Sequence, residues 1–361
     1  MEFVNETGVQ AGWTLGFDRE GRELVVVAIK ATFDIPRAGE TPMLSEVQVP
    51  LIEADEFSGD PGWSAPVREV DFAHHKPQCD VLIHGSAYAA GPGHSRVIVG
   101  VGVSTMRKAF VVTGPRQWRR GVLGITPGQP EAFTRAAISY DNAYGGTDSA
   151  DDARPVKAYR TNPVGLGYRP YQHGIDGAPM PITEELDAPV TETDGGYRPM
   201  SFGPIGRSWS PRAALAGTYD DAWRDRRAPF WPADFDDRYF QSAPQDQQIA
   251  HPVGGEVVTL RHLTPDGHVA FALPRMPMPV RFVPHKGREQ LTAATIDTIV
   301  IEPDEGRFTM TYRASQAMRR SCFDLRQVIA GEPSAAWFRA RRLGNKPYYR
   351  SLAELVRNRR P

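Results

Sequence analysis

The sequence predicts a mainly β fold, a sandwich or partly closed barrel with long ordered loops and a short helical segment at its C-terminal end. Three observations carry this reading. Several stretches alternate apolar and polar residues with period two, the pattern of a strand with one buried face. Gly (34) and Pro (32) are abundant in the 361 residues, and both punctuate strands and break helices. Helical patterning is confined to a short stretch near Ala222 and to the last 46 residues.

In chain order, residues 23–35 form the first clear strand. Val25, Val27, Ile29, Ala31, Phe33 and Ile35 make one wholly apolar face, and the other face turns polar at Lys30, Thr32 and Asp34. This predicts burial on both faces at first and on one face later. Residues 79–89, 96–103 and 107–113 read as further strands, joined through Gly91-Pro92-Gly93 and closed by Gly114-Pro115. Together they predict a β-meander.

Residues 147–252 are loop-rich and dense in Pro and Gly, yet rich in aromatic residues. A disordered segment has few aromatics, so we read this one as ordered irregular structure pinned by aromatic packing. Residues 256–263 and 268–273 flank Pro265-Asp266-Gly267, and 295–302 and 307–313 flank Pro303-Asp304-Glu305-Gly306. Each pair predicts a hairpin.

The chain therefore divides into a β-rich part, 1–315, and a basic segment, 316–361, with 11 Lys/Arg against 3 Asp/Glu. In the latter, 321–330, 335–343 and 351–359 read as short helices, with Ser351 and Glu354 as a capping box.

Composition excludes several function classes. The balance of 42 Lys+Arg and 43 Asp+Glu lacks the basic surplus of a nucleic-acid binder. The two cysteines, Cys79 and Cys322, are far apart and suggest no disulfide framework, which fits a reducing compartment. The opening residues Met1 to Glu6 carry neither a positively charged nor an apolar leader region, and no run of about 18 apolar residues is present. The expectation is a cytoplasmic protein with neither nucleic acid nor membrane as partner.

No catalytic, metal or cofactor site is expected. His74, His75, Cys79 and His84 are zinc-type ligands, but positions 79 and 84 of one strand point to opposite faces. The pairs Glu184-Glu185, Asp220-Asp221 and Asp236-Asp237 are the carboxylates a glycoside hydrolase needs, although adjacent loop acids more often cap helices, as Asp220 would through Ala222. Neither a nucleophile elbow nor a phosphate loop occurs. The tryptophans (13, 63, 118, 209, 223, 231 and 337) are candidates for core or interface.

Ordered motifs go further. Lys76-Pro77-Gln78-Cys79-Asp80 leads an apolar strand ending Gly85-Ser86-Ala87. Gly114-Pro115-Arg116-Gln117-Trp118 follows, then Tyr140-Asp141-Asn142-Ala143-Tyr144-Gly145-Gly146 and Asn162-Pro163-Val164-Gly165-Leu166-Gly167-Tyr168. After these come Trp209 with Arg212, Ala216-Gly217-Thr218-Tyr219-Asp220-Asp221-Ala222-Trp223, Pro229-Phe230-Trp231-Pro232, Ala243-Pro244-Gln245-Asp246-Gln247 and Gly254-Gly255-Glu256.

This order, over roughly residues 20–315, resembles domain-of-unknown-function family 2169; Pro115 departs from the family's usual Asp. The resemblance implies an effector adaptor or chaperone of a type VI secretion system. Its partners would be an effector protein (a toxin) and the spike or tip protein onto which the effector is loaded. It implies no catalytic residues and no cofactor. Tyr144, Tyr168, Trp209, Tyr219, Trp223 and Trp231 are the protein-binding candidates, all but Tyr144 within the aromatic loop region. The competing expectations are a carbohydrate-active hydrolase using loop carboxylates and a structural component of the secretion apparatus.

Overall fold

The strand Glu23–Asp34 turns Val25, Val27, Ile29, Ala31 and Phe33 into the main core. It lies next to one edge of a six-stranded sheet. In spatial order the strands are Gln248–Ile249, Cys79–Ile83, Thr295–Glu302, Arg307–Ala317, Glu23–Asp34 and Gln10–Phe17. All neighbours are antiparallel except Cys79–Ile83 with Thr295–Glu302, which run parallel. A five-stranded sheet (Thr183–Glu184, Met106–Thr113, Arg96–Val103, Val257–Arg261 and His268–Ala272) contributes Val99, Val101, Phe110, Val258 and Phe271 to the same core. Phe308 of the first sheet stacks between Phe33 and Phe271, joining the two. A four-stranded sheet of Glu2–Asn5, Leu325–Ala330, Pro279–Pro284 and Gln290–Ala293 adds Val280, Phe282 and Val328. This computed structural model describes residues 1–149 and 153–344, with Tyr348, Tyr349, Leu352, Leu355 and Val356 beyond them.

The mainly β fold is present, built of several sheets and without a closed barrel. Both late hairpins form, at Val257–Arg261 with His268–Ala272 and at Thr295–Glu302 with Arg307–Ala317. The predicted meander does not. Cys79–Ile83 lies in the six-stranded sheet, Arg96–Val103 and Met106–Thr113 lie in the five-stranded one, and Gly85–Tyr88 pairs apart with Arg135–Ile138. The chain changes sheets at His84, where the apolar run ends.

Glu23–Asp34 is buried on both faces along nearly its whole length, beyond its apolar part. Residues 45–76 form a strap over its polar face. Gln48 accepts from the Thr32 amide (2.9 Å) and donates to the Thr32 carbonyl (3.1 Å), and Lys30 forms an ion pair with Asp71.

Residues 321–330 are not a helix. A 3-10 turn, Cys322–Asp324, leads into strand Leu325–Ala330, which pairs in parallel with Glu2–Asn5 and antiparallel with Pro279–Pro284. Two flanking strands with open edges override the helical reading of Leu-Arg-Gln-Val-Ile-Ala. Helix Ala335–Arg342 is present, capped by Ser334 on the Trp337 amide. It buries Trp337 against Val283 and Ile329. Of the expected helix over 351–359, Ser351 and Glu354 of the capping box and all but Leu352, Leu355 and Val356 lie outside the described residues.

Candidate protein-docking surface

The family-type motifs meet each other inside the protein. Asp80, fully buried, accepts from Lys76 Nζ (2.7 Å), Gln241 Nε2 (2.6 Å), the Ser242 amide (2.8 Å) and Ser242 Oγ (3.1 Å). Gln247 donates to the carbonyls of Val81 (2.7 Å) and Phe202 (2.9 Å) and accepts from Lys108 (2.6 Å). These buried bonds tie the loop-rich region to both large sheets and satisfy polar groups that would otherwise cost stability.

The glycines have a similar role. Gly145 has φ +148°, and a Cβ there would lie 2.1 Å from the Asn162 carbonyl oxygen, so the two turn motifs close on each other only without a side chain. Asn162 Nδ2 in turn donates to the carbonyls of Tyr140 (2.8 Å) and Tyr144 (3.1 Å).

Under the strap, a polar chamber of about 40 Å³ is lined by Arg68, Asp71, Lys76, His84, Glu302 and Arg313 among others. That is room for water and too little for a sugar or a nucleotide. Its carboxylates are engaged. Asp71 meets Lys30 and the Ile52 amide (2.7 Å), Glu69 meets Arg212 (2.9 Å), and Glu302 meets Arg68 (2.5 Å) and Arg307 (2.6 Å). The His84 Nε2 is buried without a partner, and burial pushes the imidazole down to about 4.

On the outside, the edge strand Gln10–Phe17 presents Trp13, Leu15 and Phe17, the latter two both 44% exposed. The loop region adds to it. Phe230 meets Phe17 edge-on at 5.4 Å and packs against Gly21, whose φ of +78° leaves the ring its place. Trp231 donates its indole N–H to the Phe17 carbonyl (3.2 Å) and stacks on Phe235 at 4.4 Å. Trp223 donates to the Phe230 carbonyl (2.9 Å), and Tyr219, 51% exposed, stands edge-on to it at 4.7 Å. Arg227 binds the carbonyls of Trp231 (2.9 Å) and Arg19 (2.7 Å), fixing this loop to the hairpin turn after the edge strand. The result is an aromatic shelf beside a strand whose outer rim pairs with no other strand among the described residues. Exposed aromatics held rigid, next to free backbone groups, suit recognition of another protein.

The sequence-predicted residues divide. Tyr219, Trp223 and Trp231 belong to this shelf. Tyr144 and Trp209 are buried, which corrects their assignment as contacts. Tyr144 packs edge-on with Tyr159, Tyr168 and Tyr197, and Trp209 packs with Tyr140. Tyr168, half-buried, shares that tyrosine cluster and lies away from the shelf. Sequence reasoning missed Leu15, Phe17 and Phe230, and held Trp13 only as a core-or-interface candidate. The alternation Trp-Thr-Leu-Gly-Phe at 13–17 was the available signal.

Of the other tryptophans, Trp118 and Trp337 are core and Trp63 is exposed. His74 packs on Trp231 and Phe240, and burial, with Arg313 nearby, keeps its imidazole below the usual value. Cys79 is buried and its thiol is pushed well up by that burial. Among the described residues no three His, Cys, Asp or Glu side chains converge on a metal-sized site. The carboxylate pairs do local work. Asp220 caps helix Asp221–Arg226 through the Trp223 amide (2.8 Å), Asp236 caps Asp237–Phe240, and buried Glu184 lies between Arg116 and Arg96.

No curated protein and no solved structure matches this chain. Among the described residues, no helix is long and apolar enough to cross a membrane. A bacterial family, described as an uncharacterized protein conserved in bacteria, matches residues 20–313, and the chain belongs to it: DUF2169.

Proposed function

We propose that this protein is a non-enzymatic cytoplasmic adaptor. It binds a type VI secretion effector and helps load it onto the spike complex. The observation that carries the reading is the aromatic shelf. Leu15, Phe17, Tyr219 and Phe230 offer apolar surface at an open sheet edge, and their positions are fixed by hydrogen bonds from Trp223, Trp231 and Arg227. The resemblance of the ordered motifs to secretion adaptors supports an effector as the class of client.

Stable complexes bury about 1,200–2,000 Å² in total, which a shelf plus an augmented strand can contribute to. Loading also requires release, which suits a shallow surface better than a deep pocket.

The test is co-expression with a toxin of the type VI effector class, chosen from the genes next to this one, followed by affinity capture. The toxin is expected to co-purify, and Leu15→Asp with Tyr219→Asp is expected to abolish this while circular dichroism stays unchanged. Failure of the toxin to co-purify, or appearance of the protein in secreted material, refutes the adaptor reading. Retention of binding by the double variant refutes the assignment of the shelf.

A further inference from the structure

The two large sheets are finished differently on their outer sides. The six-stranded sheet carries the strap of residues 45–76 over its outer face. The outer face of the five-stranded sheet is covered at its Thr183–Glu184 edge, where Glu184 and Val111 are buried, but is exposed at Arg107, Ala109, Val257, Arg261 and His268. Val99, Val101, Phe110, Val258, Leu260 and Phe271 take the inward positions, so their strand neighbours point out.

A solvent-facing sheet surface ordinarily carries charged and polar residues of both signs. Here the floor is a diagonal of small residues. Ala109 and Gly100 are opposite each other, and in the next row Gly102, Thr259 and Ala270 are, with Arg107 ending that row and Arg261 and His268 ending the first; Ile98 and Val257 are exposed next to it. Gly100, Ala109 and Thr259 line a shallow trough of about 740 Å³. Around it stand Arg107, Arg261 and His268, against Asp266 alone in the neighbouring turn. Arg107 lies over Gly102 and spends hydrogen bonds on the carbonyls of Ser104 (2.7 Å) and Met106 (2.6 Å). Neither Arg107 nor Arg261 has a carboxylate partner among the described residues. The one acid on this face, Glu184 beside Val111, is fully buried and is neutralised by Arg96 and Arg116.

We infer that this face is a second docking surface, and that it takes an acidic amphipathic helix of a partner protein. A helix offers an apolar stripe with charges on both flanks, which matches a small-residue floor between arginines. The small side chains let the helix backbone approach closely. Unpaired cations at the rim steer an acidic partner and reject a basic one. A phosphate backbone would leave the apolar floor unused and find few cations. The inference does not rest on the secretion reading, because the surface belongs to a different sheet from the aromatic shelf.

The test uses the full chain and a fluorescein-labelled helical peptide with Leu and Ala on one face and Glu on the other, followed by fluorescence anisotropy. Saturable binding is expected, weakened by salt as exposed charges are screened. Arg107→Glu with Arg261→Glu, and separately Ala109→Glu, are expected to weaken it at least about tenfold. All three positions face solvent, and a Cβ at neighbouring Gly100 meets only ordinary contacts, so the fold tolerates the change. An unchanged thermal melt checks this. Absence of binding, or equal binding by the variants, overturns the inference. So does displacement of the peptide by a short DNA duplex, or self-association of the chain that the variants abolish without any peptide binding.

Discussion

Replacement of Asp80 tests whether the motif residues hold the architecture. The carboxylate is wholly buried and receives four hydrogen bonds, one of them from the Lys76 ammonium at 2.7 Å. Asp80→Asn keeps the shape but removes the charge and turns a donor towards donors. Lys76, itself only 7% exposed, is then a buried cation with Thr298 Oγ1 (2.9 Å) as its remaining side-chain partner.

Breaking a buried pair in this way costs about 3–5 kcal/mol. The total stability of a domain is about 5–15 kcal/mol, so about a fifth of the margin or more disappears. Urea melts followed by circular dichroism measure it. Adding Lys76→Met removes the stranded charge, so the double variant is expected to recover part of the loss. A single-variant cost below about 1 kcal/mol, or a double variant no better than the single, refutes the reasoning.

Three other outcomes follow from the same structure. The His84 imidazole is held near 4 against an ordinary value near 6.5, so unfolding takes up a proton between those limits. Stability from this group is present above pH 6.5 and lost as pH falls through 4, roughly 3 kcal/mol in all. His84→Leu should shrink the drop in urea midpoint between pH 7 and pH 4; an identical drop contradicts the assignment. Gly145→Ala, with its Cβ 2.1 Å from a carbonyl oxygen at φ +148°, should cost at least about 3 kcal/mol or yield insoluble protein, as expression and melting report. Asp220→Ala should cost about 1 kcal/mol locally, speeding amide exchange at Trp223 about fivefold while the global melt stays put.

Much of the β architecture was legible because period-two patterning and turn residues are local. Val257–Arg261, His268–Ala272 and the pair around Pro303–Glu305 needed only adjacent strands and a Gly turn. The Asp220 cap was readable for the same reason. What escaped was non-local. Nothing within 79–113 says that Cys79–Ile83 will run parallel to Thr295–Glu302 while Arg96–Val103 joins another sheet. The polar half of Glu23–Asp34 reads as solvent-facing because its cover, the strap with Gln48 and Asp71, comes from elsewhere in the chain.

The shelf was half legible. Its loop aromatics stood out by density, but Tyr144 and Trp209 share that density and are core. Strand Gln10–Phe17 was overlooked because Gly12 and Gly16 dilute its β signal. Those glycines are there because Leu51, Phe72 and His74 lie over them.

The most direct measurement of the central claim is capture of a candidate effector toxin, drawn from the neighbouring genes, by the purified chain, wild type beside Leu15→Asp with Tyr219→Asp. The account predicts a stoichiometric complex with the wild type and none with the variant, both proteins melting alike. A wild-type chain that captures no toxin, or one that turns over a glycoside instead, contradicts it.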